Sequence, residues 1–237
     1  NTEQNTNRYS MINPIYKIIS GKNVILVGNS VEILEHEYGD IIESYDVIVR
    51  FGRGVPQPDM VKAIGKRTDI WVTGLLRQKY AKFFPKAFKL FNRNRIYIDK
   101  ELPKDRLPDF EYIEMFSDKE LLELYKECGY IDGDKYELRP SAGFITLQYF
   151  TRVANDWKSL TIIGFDFFSK TYGYKIGGAK PTSWHKPKAL INQHPHNALK
   201  ERDYALSLEE LGVITWIKLS DLEEENIETL RPRVSKR

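Results

Sequence analysis

Short runs of apolar and β-branched residues recur along this chain with helical stretches between several of them, and this alternation constrains its fold more than any other feature. The runs are Val24–Val27, Val47–Val49, Ile70–Thr73, Ile96–Ile98, Leu160–Phe165 and Val213–Ile217. Strands separated by helices are expected to pair in parallel, because a parallel neighbour is reached only through a crossover. The fold class expected is therefore α/β, a doubly wound, Rossmann-like parallel sheet. Helical spacing is read over Leu75–Phe91 and Asp118–Glu127. A helix is also expected over Phe144–Asp156, and another over Glu201–Leu211 with Gly212 as its C-cap. With 41% hydrophobic residues in 237, the chain can bury a real core. That core is expected to begin near Ile15 and to form one domain over 15–230. A polar, disordered arm precedes it over 1–14, and a basic tail follows over 231–237.

Charge and cysteine usage narrow the partners. The net charge is +3 and the basic residues are scattered, so nucleic acid is not an expected partner. The exception is the tail Arg231–Arg237, which reads either as a contact for an anionic membrane surface or as a solvated terminus. No apolar run approaches the roughly 18 residues of a membrane span. Cys128 is the only cysteine, which rules out an intrachain disulfide or a cysteine metal cluster and favours a reducing compartment. The expected location is cytoplasmic, with peripheral contact at the inner membrane through the basic tail. The sequence opens on Asn1, without an initiator Met or a signal segment, and the expectation is a trimmed chain. Nothing in it fixes the oligomeric state.

Two turns carry the chemistry. Arg139-Pro140-Ser141-Ala142-Gly143 opens a helix, and Gly28-Asn29-Ser30 follows the first strand-like run. The first amides of a helix lack partners and meet the positive end of its dipole, so such turns hold anions. Two of them at strand ends suggest a nucleotide-type ligand at the carboxyl edge of the sheet. Gly28, Ser141, Ala142 and Gly143 would act through backbone amides and close approach. Asn29 reads as a phosphate or ribose contact, or simply as a turn residue. Asp166 ends a strand where ligands gather, or caps the next turn. Phe165 packs under a base or into the core. Ser169–Pro195 is rich in Gly and Pro yet holds Tyr172, Tyr174, Trp184, His185 and His194, and it reads as a lid.

These residues resemble a known family. Tyr38–Arg50, after Val27-Gly28-Asn29-Ser30 and continued by Ile64–Asp69, is similar to the large sialyl motif of animal sialyltransferases. Pro140–Gly143 through Gly164-Phe165 resembles the small motif. His196 followed by Glu201 resembles the very short motif, His-x-x-x-x-Glu. The second half also resembles bacterial sialyltransferases of the Campylobacter type, through Arg139, Gly164-Phe165-Asp166, Tyr174 and His196. The resemblance implies a GT-A-like sialyltransferase architecture, a CMP-sugar donor as substrate, a glycan acceptor such as a lipooligosaccharide or capsule, and no further cofactor. It implies His196, Arg139, Tyr174 and His185 as catalytic residues. It implies donor contacts at Gly28, Asn29, Ser30, Arg50, Gly52, Ser141, Ala142, Gly143, Phe165 and Asp166. The chain also departs from the pattern. Gly52 stands where the family has Asn, Phe168 replaces the first of two phosphate-binding tyrosines, and the disulfide of the animal enzymes cannot form. These departures point to a divergent, bacterial member whose donor sugar is sialic acid or a related keto-sugar acid such as Kdo.

The chemistry of that transfer can be set against the residues. An acceptor hydroxyl needs a base, and a histidine with an unperturbed pKa near 6.5 suits neutral pH. His196 reads either as that base or as a helix-cap or surface residue. A departing phosphate needs donors aimed at its developing charge, and Tyr174 and His185 are the candidates. Arg139 would hold the donor carboxylate or phosphate, or else pair with a nearby acid. His185, His194 and His196 lack carboxylate or cysteine support, and Asp132-Gly133-Asp134 is better explained as a turn, so no metal is expected. No Gly-x-Gly-x-x-Gly or Walker sequence is present. The alternatives left open are a transferase or hydrolase for another nucleotide-sugar, and a non-catalytic nucleotide- or glycan-binding protein.

Overall fold

The computed structural model describes residues 13–74, 80–92, 110–132, 135–136, 140–167 and 196–219. Seven strands form one sheet: β1 (Asn23–Val27), β2 (Val47–Phe51), β3 (Ile70–Gly74), β4 (Phe88–Asn92), β5 (Ile113–Glu114), β8 (Ser159–Ile163) and β9 (Thr215–Ile217). Their order is β5-β4-β3-β2-β1-β8-β9, and every pairing is parallel. A separate antiparallel pair joins β6 (Ile131–Asp132) to β7 (Lys135–Tyr136). The expected doubly wound α/β sheet is the observed one. The chain winds outwards from β1 to β5 and then returns to lay β8 on the other side of β1. That reversal leaves a crevice beyond the carboxyl ends of β1 and β8, where ligands collect in sheets of this kind.

Alternation within the strands supplies both layers. From β1, Val24 and Leu26 join one core with α1 (Tyr16–Ile19), α4 (Asp118–Glu127), α5 (Ala142–Arg152) and α6 (Ala198–Glu210). Ile25 and Val27 face the opposite core, with Ile33 and the helices α2 (Gly39–Glu43) and α3 (Val61–Ile64). Val24–Val27 are wholly buried, each side chain contributing roughly 1.5–3 kcal/mol of transfer free energy. A strand covered on both faces reads as the continuous apolar run seen in the sequence. Among the described residues no helix is long and apolar enough to cross a membrane.

Several boundaries differ from expectation, each for a local reason. Leu75–Phe91 is not one helix: 80–83 form a 3₁₀ turn and β4 occupies Phe88–Asn92. Pro85 explains the change, since it lacks an amide donor and biases Phe84 away from helix. The run Leu160–Phe165 stops pairing at Ile163, because Gly164 turns to φ +70°. The helix expected over Phe144–Asp156 starts earlier and ends at Arg152, set by the Ser141 cap. Strand β9 is shorter than Val213–Ile217. Asp132 pairs with Lys135 in the short antiparallel ladder. Ile96–Ile98, residues 1–12 of the arm expected over 1–14, the lid Ser169–Pro195 and the tail Arg231–Arg237 lie outside the described residues.

Candidate active site

Three close approaches build the floor of the crevice. Gly28 follows β1 so tightly against the end of β8 that a Cβ there would lie 2.2 Å from the Gly164 carbonyl oxygen. Its amide donates to Ile163 O at 2.7 Å, and the Ser30 amide donates to Gly164 O at 3.1 Å. Phe165 then lays its ring between two glycines. A Cβ on Gly143 would meet Phe165 Cε1 at 2.8 Å, and one on Gly28 would meet Phe165 Cδ2 at 3.0 Å. Phe51 packs edge-on against the same ring, with centroids 5.7 Å apart. Phe165 therefore joins the ends of β1, β2 and β8 to the start of α5. Asp166 follows it, half-buried.

The start of α5 is shaped by Ser141. Its hydroxyl accepts the Phe144 amide at 3.0 Å, the usual service of an N-cap serine. The same hydroxyl donates to Glu201 Oε2 at 2.5 Å, and the Ser141 amide donates to Glu201 Oε1 at 2.7 Å. Tyr130 adds a third donor, its hydroxyl 3.1 Å from Glu201 Oε1. Ser141 is thus a strut here, with its amide already engaged. The amides of Ala142 and Gly143 have no acceptor among the described residues and are the ones left for an anion. Glu201 is 1% exposed, and burial raises its carboxyl to about 7 against the opposing pull of the Ser141 and Tyr130 hydrogen bonds. Burial, and then the adjacent Glu201, hold the Tyr130 hydroxyl protonated as that donor.

Glu201 belongs to the helix that His196 precedes. Asn197 caps α6 by accepting the Lys200 amide at 3.1 Å, so the capping role open to His196 is filled by its neighbour. Ala198, Glu201, Ala205 and Leu208 lie on the buried face of this helix. That helical spacing was the signal that could have singled out Glu201 as more than a motif letter. A carboxylate in line with two alanines and a leucine has to find donors inside the protein. His196 stands half-buried just before this helix, and Glu201 in its first turn bonds the Ser141 turn that opens α5.

The remaining candidates divide. Asn29 is 7% exposed, and its Nδ2 donates to Phe51 O at 3.2 Å. Its buried Oδ1 has no hydrogen-bond partner among the described residues, which suits a ligand contact better than a plain turn. Ser30 caps the 3₁₀ helix Val31–Glu35 by accepting the Glu32 amide at 3.3 Å. Arg50 is engaged with the backbone. It is wholly buried, with Nε donating to Arg67 O at 2.9 Å and Nη2 donating to Ile64 O at 2.5 Å, and it braces the loop before β3. Gly52 takes φ +52°, and its carbonyl accepts the Trp71 indole at 3.0 Å. Arg139, Tyr174 and His185 lie outside the described residues. No group of three or more metal-ligating side chains is found among the described residues.

This architecture defines a class. No known protein family and no curated protein matches the sequence. Solved structures do: the fold is that of the sialyltransferases. A mammalian sialyltransferase in complex with Gal-beta-1-3GalNAc-ortho-nitrophenol matches over 90% of this chain and 78% of its own, with a TM-score of 0.52 and 13% sequence identity. A further mammalian sialyltransferase structure matches over 91% of this chain and 78% of its own, at the same TM-score of 0.52 and 13% identity. The sialyltransferase CstII from Campylobacter jejuni, in complex with a substrate analogue, cytidine-5'-monophosphate, is 15% identical with a TM-score of 0.48, covering 84% of this chain and 86% of its own.

Proposed function

We propose that this chain is an inverting, metal-independent glycosyltransferase that moves sialic acid, or a related keto-sugar acid such as Kdo, from a CMP-sugar to a glycan hydroxyl. In this reading His196 takes the proton of the acceptor hydroxyl. The oxygen attacks the anomeric carbon, and the bond from that carbon to the phosphate oxygen breaks, releasing CMP with inversion. The amides of Ala142 and Gly143 meet the phosphate charge, and Arg139, Tyr174 and His185 would complete its surroundings under the lid. The observation that carries the reading is the Glu201–Ser141 bridge. It joins the helix that His196 precedes to the helix start whose amides are open to an anion. The shared fold and the motif resemblance support the choice of donor. Preorganised placement of base, acceptor and donor would supply much of the rate.

Thermal shift with CMP, UDP, GDP and NAD, followed by transfer assays with CMP-sialic acid and CMP-Kdo, tests it. Stabilisation by CMP and turnover of one CMP-sugar are expected, and His196→Ala should lower turnover about 10²–10⁴-fold while CMP affinity stays within a few-fold. Stabilisation by UDP or NAD alone would remove the cytidine reading. CMP binding with no turnover of either sugar would leave a binding protein.

A further inference from the structure

The turn after β2 holds a cation that no described residue satisfies. Phe51 O accepts the Gly54 amide at 2.9 Å, closing a tight turn with Arg53 at its centre. Gly52 supplies the φ of +52° that the turn requires, and Trp71 anchors its carbonyl. Arg53 is thus held on a rigid scaffold, its guanidinium carbon 5.8 Å from the centre of the Tyr80 ring. Arg50, Arg67, Arg152 and Arg202 each reach an oxygen of the protein. The Arg53 guanidinium reaches none among the described residues, and its Nε is buried. A buried donor left unmet costs roughly 1–3 kcal/mol, a cost removed when an acceptor arrives.

An unmet acceptor sits against the same turn. Asn29 donates to Phe51 O, the very oxygen that closes the turn. A Cβ on Gly54 would lie 2.2 Å from Asn29 Oδ1, so glycine at this position is what leaves room for that side chain. A buried acceptor and a fixed planar cation therefore flank one turn at the carboxyl edge of adjacent strands. That combination suits a ligand carrying an anionic oxygen near a hydroxyl or amino donor, as a sugar nucleotide does.

We infer that Arg53 is a ligand-binding residue that pairs with an anionic group of the bound sugar nucleotide, while Asn29 Oδ1 accepts from a neighbouring hydroxyl or amine. This rests on the donor reading above. The anionic group is either the phosphate or the carboxylate of the keto-sugar, and the two separate by titration. Calorimetry on the full chain and on Arg53→Gln would measure cytidine, CMP and CMP-sialic acid, with melting temperature checking that the variant folds. Cytidine affinity should stay unchanged. A roughly tenfold or greater loss for CMP assigns the phosphate; unchanged CMP with that loss for CMP-sialic acid assigns the carboxylate. Arg53→Lys should recover part of the loss, since it keeps the charge without the fork. Equal affinity of Arg53→Gln and the native chain for both anionic ligands overturns the inference. If the native chain ignores cytidine nucleotides but binds UDP or GDP, the donor reading fails alone. Arg53→Gln is then scored on that nucleotide against its nucleoside. If it binds no nucleotide, both fail.

Discussion

Gly28 and Gly143 differ in what a methyl group would meet. At Gly28 it would press on the Gly164 carbonyl, part of a paired backbone that cannot step aside, whereas at Gly143 it meets the edge of the Phe165 ring. Gly28→Ala is therefore expected to cost about 1–3 kcal/mol or more, read as a fall in melting temperature of roughly 5 °C or greater. Gly143→Ala should cost less, because a ring can tilt. It should still weaken CMP binding, since Phe165 and the open amides of α5 move together. Equal melting temperatures for Gly28→Ala and the native chain would show that β1 and β8 separate easily at this end. His196 and Glu201 make the complementary point. The sequence pattern named both, but only coordinates show that the carboxylate serves the serine turn.

At the scale of elements, Glu201 links α6 to α5, and its titration can be read as stability. Folding raises its carboxyl from 4.5 to about 7, so between these values the folded protein keeps a proton that the unfolded chain has lost. The stability it contributes is complete below about pH 4.5 and lost as the pH rises through 7. The effect is on the order of 3 kcal/mol. Glu201→Gln keeps one acceptor oxygen, enough for the Ser141 amide and Tyr130 though not for the Ser141 hydroxyl, and removes the titration, so denaturant midpoints from pH 5 to 8 should flatten in this variant. A slope as steep as that of the native chain would place the titrating group elsewhere. Ser141→Ala should cost about 1 kcal/mol for the cap, and more because Glu201 loses a donor. Strands β1, β2, β3, β8 and β9 and helix α4 were legible in the sequence because periodicity and composition are local. The 80–92 segment was not, since its apolar spacing suits a helix and only Pro85 argues otherwise. Arg50 shows the same limit at a single residue. An arginine at a strand end suggests a ligand, and its carbonyl partners at Ile64 and Arg67 become visible only in the folded chain.

Across the whole molecule, the candidate site gathers from segments far apart in the chain, and the proposed reaction would leave the phosphate charge to amides and arginines. Turnover should accordingly survive saturating EDTA. Loss of activity on chelation, restored by manganese, would shift attention to Asp132 and Asp134. The sheet order has one further consequence, for how the protein is made. Strand β1 lies between β2 and β8, and its partner on the β8 side, marked by the contact from Ser159 to Asn23, arrives 136 residues later. A ribosome adding about 5–20 residues each second would leave that flank of β1 without its partner for roughly seven to thirty seconds. During that interval an apolar strand presents open amides and carbonyls to any neighbouring chain. A fragment ending at Arg152 should therefore aggregate at concentrations where the full chain stays dispersed. Light scattering during cell-free synthesis should rise early and fall once β8 has emerged. Nascent chains of this protein are thus natural clients for chaperones that shield an incomplete sheet.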